Sequence, residues 1–119
     1  MKLILASASP RRRRLLEQKG LTFQVIPSDV DGAAVVSQAP LRKIQAIALR
    51  KARDVAARVE DGIVIGADTQ ILMDGETLGK PVDEADAARM LSRLSGRTHR
   101  VITGVALMDA ATSLEETWV

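Results

Sequence analysis

Two serines, Ser7 and Ser9, stand just ahead of Pro10 and four consecutive arginines, Arg11 to Arg14, where the apolar run Leu3 to Ala6 gives way to a polar segment. Hydroxyls and guanidinium groups at the start of a helix are the parts of an anion cradle. Free backbone N–H groups and the positive end of the helix dipole face the turn. The hydroxyls add donors, and Arg11 and Arg12 can fork onto phosphate oxygens. Four arginines in a row span a full helical turn, so Arg13 and Arg14 cannot all share that side and are expected at the surface. The plainer alternative is that Ser9 only caps the helix and the arginines form a solvated face.

A second group ends another apolar run, where Ile63-Val64-Ile65-Gly66-Ala67 leads to Asp68 and Thr69. An acid ending a buried strand points into whatever cleft lies at the strand's carboxyl end; the alternative is a turn or capping aspartate. There Asp68 could hold a Mg²⁺ ion against phosphates and take a proton from an attacking water. An unperturbed Asp is a weak base, with a pKa of about 3.9. A metal makes the transfer feasible by lowering the pKa of the water. Lys51 lies between apolar positions of a helical pattern, so its stem can cross the core and its ammonium reach a cleft. The alternative is an exposed helix lysine. Lys80, in Gly79-Lys80-Pro81, sits on a loop, where a lysine is usually only solvated. The segment Gly75 to Lys80 falls one residue short of a P-loop, and Pro81 replaces the required Ser/Thr, so that motif is excluded. His99, between Thr98 and Arg100 on a strand edge, is expected to be a surface or satisfied histidine.

The elements that must position these groups alternate between strand and helix, which implies a layered α/β or α+β domain. Lys2 to Ala6 reads as a buried strand. Ser9 and Pro10 read as an N-cap and a first helical residue, and Gly20 stops that helix after Lys19. Thr22 to Ile26 is a second strand, and a loop follows from Pro27 to Ala39. Pro40 to Val59 is a long helix whose apolar stripe is Ile44, Ile47, Ala48, Ala52, Val55 and Val59. Gly62 to Ala67 is a buried strand, and Gln70 to Met73 with Glu76 to Leu78 flank the hairpin turn Asp74-Gly75. Asp83 caps a helix with Ala87, Met90, Leu91 and Leu94 on its inner face, ended by Gly96. Arg100 to Met108 is a strand, and Leu114 to Val119 begins its hairpin partner. The pattern stops at Glu116-Thr117-Trp118-Val119 with no turn or polar tail, as a fragment of a longer chain would.

Composition limits the classes. The chain has 119 residues, 46% hydrophobic and 27% charged, which suits one domain (residues 1–119) with a buried core. Its longest apolar runs fall well short of a membrane span. The apolar opening is shorter than a secretory h-region and the arginines follow it, so a cytoplasmic setting is expected. Without cysteine there is no disulfide framework or thiolate zinc site, and one histidine rules out a multi-histidine centre. Residues 1–58 carry 12 Lys/Arg against 4 Asp/Glu, and residues 59–119 carry 5 against 11. Such an asymmetry suits a site for a polyanion with a metal ion, or a nucleic-acid surface. Only Phe23 and Trp118 are aromatic, which disfavours single-strand binding by stacking.

Four separated motifs occur in one order: Leu3-Ile4-Leu5-Ala6-Ser7-Ala8-Ser9-Pro10-Arg11-Arg12-Arg13, Gly66-Ala67-Asp68-Thr69, Leu78-Gly79-Lys80-Pro81, and Met90 to His99 followed by Val101-Ile102-Thr103-Gly104-Val105. Together they resemble the Maf family of nucleoside triphosphate pyrophosphatases, from Met1 essentially to Val119. The resemblance implies a mixed twisted sheet with flanking helices, related to the inosine triphosphate pyrophosphatase-like fold and incomplete at its C-terminus. It implies hydrolysis between the α- and β-phosphates of a nucleotide, with a divalent metal, usually Mg²⁺. By that resemblance Asp68 is the catalytic proton acceptor and metal ligand, and Ser7, Arg11, Arg12, Lys51, Thr69 and Lys80 bind substrate. Arg11 and Thr69 match positions that help set substrate class, and the local motifs look more like the dTTP/UTP-type branch than the 7-methyl-GTP branch. The implied partner is a nucleoside triphosphate, with no membrane, nucleic acid disfavoured and homodimerisation open. Two positions depart from the family pattern. An acidic pair usually follows the second strand, whereas Gly32 follows Asp31 here, so Asp31 or Asp29 would have to substitute. Arg14 stands where the family often has glutamate. The competing readings are a non-catalytic basic module for nucleic acid or a protein partner, and an inactive truncated fragment.

Overall fold

The structure, a computed structural model, describes residues 2–30, 39–73, 76–78, 83–96 and 99–119. Its first apolar run forms β1 (Leu3–Leu5), with Ile4 and Leu5 buried. Ser9 then caps α1 (Pro10–Gln18) as its type and position predict. Its backbone is extended and its hydroxyl accepts from the Arg12 N–H at 3.4 Å. Pro10 occupies the first turn, where its missing N–H costs nothing. The chain leaves α1 through Gly20 at φ +74°, a left-handed conformation that glycine adopts without a Cβ penalty.

β2 (Gln24–Val25) pairs parallel to β1. α2 (Pro40–Ala56) carries the apolar stripe to the core, with Ile44, Ile47, Ala48, Ala52 and Val55 fully buried. Burying each of the isoleucines and the valine contributes about 1.5–3 kcal/mol. β3 (Ile63–Met73) follows, then β4 (Glu76–Leu78), α3 (Glu84–Leu94), β5 (Arg100–Asp109) and β6 (Glu115–Trp118). These strands make one mixed sheet in the order β2-β1-β3-β5-β6, with β4 paired to the far half of β3. β1 is parallel to β2 and β3; the β3–β5, β5–β6 and β3–β4 pairs are antiparallel. The expected mixed sheet with flanking helices is therefore what forms. No helix among the described residues is long and apolar enough to cross a membrane.

Two glycines let α2 lie against the sheet. A Cβ on Gly66 would fall 2.1 Å from the Ala48 carbonyl oxygen, and one on Gly104 would fall 2.7 Å from Ile44 Cγ2. Gly66 faces Ala106 across the β3–β5 ladder, and Ala106 joins Ile4, Ala6, Ala48, Ala52, Val55 and Val64 in the core. The buried hydrophobic residues are thus aliphatic, mostly small or β-branched together with Leu5 and Met73, as a chain so poor in aromatics requires.

Two expectations differ from the structure. Residues 63–73 form one strand, not a buried strand followed by a separate hairpin arm, because β5 pairs with it continuously from Ile63 opposite Asp109 to Leu72 opposite Arg100. Asp68 therefore sits inside a strand and does not end one. Second, the stripe of α3 is not buried: none of its residues is, and Leu91 is 69% exposed. Periodicity sets which residues share a helix face, but α2 is the helix that closes on β3 and β5. His99 is exposed and immediately precedes β5, at the edge of the strand, in line with a surface histidine. The turn Asp74-Gly75 lies outside the described residues, although the pairing of Met73 with Glu76 on its two sides is that of the hairpin.

Candidate active site

β1 is the point at which the chain changes direction across the sheet: it passes to β2 on one side and returns through α2 to β3 on the other. In open sheets with parallel neighbours, the carboxyl end of such a strand opens into a crevice. Residues Ser7 to Pro10 leave β1 there. A second feature widens it. One edge of β3 pairs with β5 throughout, whereas the other pairs with β1 only at 63–65 and with β4 only at 71–73. Among the described residues, no strand covers that edge between 66 and 70. Asp68 and Thr69 lie in the gap.

Strand alternation sends the groups in the gap to opposite faces. Gly66 touches α2, so Asp68 and Gln70 share the α2 face and Thr69 takes the other. On the α2 side, the Lys51 ammonium lies 3.6 Å from Asp68 Oδ1 and donates to the Ala67 carbonyl at 3.3 Å. The side chains of that pair are 20% and 13% exposed. Gln70 Nε2 donates to Asp68 Oδ2 at 2.8 Å. Lys51 reaches the carboxylate because α2 presses onto Gly66 and Gly104, two positions where a larger residue would hold it off.

On the other side, Arg12 forks between two hydroxyls. Nη1 donates to Ser7 Oγ at 3.2 Å and Nη2 to Thr69 Oγ1 at 3.0 Å. Thr69 Oγ1 is in turn 3.1 Å from Thr103 Oγ1, its cross-strand neighbour on β5. Ser7 Oγ also accepts the Ser9 N–H at 3.1 Å. A serine hydroxyl has two lone pairs and one proton, so accepting from both Ser9 and Arg12 leaves the proton to donate. Burial lowers the Arg12 pKa, and the Asp68 charge opposes that shift. The guanidinium stays charged all the same. A partly desolvated cation held by neutral hydroxyls is a receptor for an anion.

The structure thus brings together Ser7, Arg12, Lys51, Asp68 and Thr69 of the residues expected from the sequence. Arg11 is exposed on α1, outside this hydrogen-bonded group; Arg13 and Arg14 are exposed, Arg13 pairing with Glu17 at 3.1 Å. Lys80, Asp31 and Gly32 lie outside the described residues. Asp29 is described: its N–H donates to Asp54 Oδ2 at 2.9 Å, and Ser28 Oγ donates to the same oxygen at 3.0 Å. Those bonds, the Asp29 N–H first, lower the Asp54 pKa. Sequence reasoning missed Gln70 and Thr103. The period-2 pattern places Gln70 on the face of Asp68, whereas Thr103 meets Thr69 only through the β3–β5 register.

Among the described residues no three His, Cys, Asp or Glu side chains converge as a metal cluster. The donor set still fits Mg²⁺, which is commonly held by one or two carboxylates together with substrate phosphates and water. A carboxylate offers about four lone-pair sites, of which Gln70 takes one, while Lys51 faces Oδ1 as an ion pair at 3.6 Å.

A family model described as Maf-like protein matches residues 2–119. A dTTP/UTP pyrophosphatase of Ruminiclostridium cellulolyticum is 47% identical over 114 residues, covering 95% of this chain and 59% of that protein. Those of Symbiobacterium thermophilum and Moorella thermoacetica are 55% and 53% identical, over 89% and 92% of this chain and 55% and 56% of theirs. The chain spans a little over half the length of these curated relatives. A solved nucleoside-triphosphatase, the dITP/XTP pyrophosphatase of Mycobacterium abscessus, has the same fold with a TM-score of 0.62 at 18% identity, over 99% of this chain and 70% of that one.

Proposed function

Since the chain belongs to the Maf-like protein family, we propose that it hydrolyses nucleoside triphosphates to the monophosphate and pyrophosphate, with dTTP and UTP as the first substrates to test. The observation that carries this reading is the placement, on the two faces of one stretch of β3, of Lys51 against Asp68 and of the Arg12 fork on Thr69 and Ser7. The names of the relatives at about half identity support the nucleotide class.

In this reading the triphosphate lies in the crevice beyond β1. The Ser7 hydroxyl, the positive N-terminal end of the α1 dipole and the Arg12 fork bind its phosphate oxygens. Lys51 neutralises charge on the α2 side, and Lys80 and Arg11 add to the phosphate grip. Thr69 lies against the substrate and holds the Arg12 fork in plane. Asp68 orients a water and accepts its proton as the water oxygen bonds to the α-phosphorus. The bond from that phosphorus to the bridging oxygen breaks, and pyrophosphate leaves. Asp68 would also hold a Mg²⁺ ion, which supplies charge neutralisation on the phosphates and a more acidic water. Transfer at phosphorus needs mainly positioning and charge stabilisation, and the residues here provide both. The reading carries a cytoplasmic setting and one functional unit over residues 1–119, with any homodimer to be measured alongside.

The test is release of pyrophosphate and monophosphate from a panel of nucleoside triphosphates with Mg²⁺, together with a thermal melt. Turnover of dTTP or UTP that disappears on chelation is the expected result. A chain that melts cooperatively, turns over no nucleotide and instead binds duplex DNA without Mg²⁺ and with steep salt dependence would overturn it.

A further inference from the structure

Among the described residues, two polar side chains are buried, Ser7 and Gln70, and both are in the gap of β3. Burying a primary amide in a strand costs free energy unless it is hydrogen-bonded. An apolar residue at position 70 would extend the run of Ile71 and Leu72 at no such cost. The Gln70 amide is 8% exposed, and its N–H points along the strand to Asp68 Oδ2 at 2.8 Å. Residues two apart on a strand share a face, so the backbone sets these two side chains side by side without a loop to hold them.

The consequence is a division of labour between the two oxygens of one carboxylate. Gln70 holds Oδ2, while Oδ1 faces the Lys51 ammonium at 3.6 Å. A carboxylate tethered at one oxygen has lost its freedom to rotate about χ2, and the lone pairs left over point in fixed directions. Lys51 alone would not achieve this, because an ammonium on a four-carbon stem can follow the carboxylate as it turns. A planar amide two residues along the same strand cannot.

We propose that Gln70 is a positioning residue for the pyrophosphatase reaction, fixing the rotation of the Asp68 carboxylate so that its remaining lone pairs address the attacking water. The inference rests on the function proposed above. Gln70 acts on the step after binding: the phosphates are gripped by Ser7, Arg12 and Lys51, none of which hydrogen-bonds to Gln70. Its loss therefore lowers kcat and spares KM. A purely structural role would instead lower the melting temperature and leave kcat per folded molecule unchanged.

The experiment compares wild type with Gln70→Met, which keeps length and flexibility but has no donor, on dTTP or UTP with Mg²⁺. The expected result is a fall in kcat of about ten- to a hundredfold, as for the loss of a hydrogen bond to a charged group, with KM within about twofold. Gln70→Glu has the shape of glutamine but replaces the donor with a second acceptor, and it should lose at least as much. If Gln70→Met does not melt cooperatively, Gln70→Glu decides by the same criterion. A kcat within about twofold of wild type, or a loss carried by KM, overturns the inference and leaves the pyrophosphatase reading standing. An inactive but folded wild type overturns both.

Discussion

The two faces of β3 within its uncovered stretch hold different chemistry. On the α2 face a carboxylate is held by a lysine and a buried amide. On the opposite face a guanidinium is held by a ladder of hydroxyls, Ser7, Thr69 and Thr103. One face carries the group that can take a proton; the other carries the cation that can grip an anion. The two are a single residue apart in sequence, at Asp68 and Thr69. Strand alternation separates them without any loop.

Breaking the acidic face should have the largest effect. Asp68→Asn is expected to lower kcat by about 10²–10⁴-fold, the usual yield of a positioned acid or base, while nucleotide affinity changes little. Steady-state kinetics and a binding titration check this, and an equal loss in both would mean the two faces do not divide the work. Next is the packing that brings α2 to the sheet. Gly66→Ala puts a Cβ 2.1 Å from one backbone atom of α2 and 2.7 Å from another. Neither can move alone, so a destabilisation of about 3 kcal/mol is expected, read as a drop in melting temperature. Gly104→Ala should cost less, since its nearest neighbour is the Ile44 side chain at 2.7 Å.

The basic face should respond in KM. Arg12→Ala is expected to raise KM for the triphosphate by about tenfold or more, as for a lost hydrogen bond to a charged group. Arg12→Lys should not restore it, because one ammonium cannot span Ser7 and Thr69. Thr103→Val removes the partner of the Thr69 hydroxyl and should raise KM by only a few-fold, in line with about 0.5–1.5 kcal/mol for a neutral hydrogen bond. Thr103→Ser should bring KM back.

The smallest effect lies away from both faces. Asp54 accepts from Asp29, Ser28 and Arg58, and its carboxyl is held below its usual value, first by the Asp29 N–H. A carboxylate with a lowered folded-state pKa supplies stability that is present above its unfolded pKa and lost as the pH falls through the folded value. Acid should therefore cost wild type slightly more stability below about pH 4 than it costs Asp54→Asn. Melts at pH 7 and pH 3 would show it.

Much of this site could be read from the chain itself. Ser9, Pro10 and Gly20 define α1 through local backbone chemistry, and the five-residue spacing of Ser7 and Arg12 across a helix N-terminus brings them together in almost any fold. Asp68 was legible as an acid on an apolar strand, and Lys51 as a lysine whose stem crosses a buried helix face. The length of β3 was not legible. The polar residues Asp68 and Thr69 interrupt its apolar pattern and read as a break between one strand and another starting at Gln70, whereas the ladder to β5 carries the backbone straight through them. Nor was the bare face of α3, whose stripe of Met90, Leu91 and Leu94 has the same period as the buried one of α2.

The sequence by itself determined the local devices: caps, turns, the order of strand and helix, and the types of charge available for phosphate chemistry. Each depends on neighbours within a few residues, so the covalent chain is enough to specify it. Only the tertiary structure decided that β1 and β4 leave five residues of β3 uncovered. It also decided that Lys51 meets Asp68, that Gln70 is the buried donor to it, and that Thr103 backs Thr69. Those outcomes depend on register across strands and on how closely α2 can approach two glycines, distances set by the packing of segments far apart in the chain.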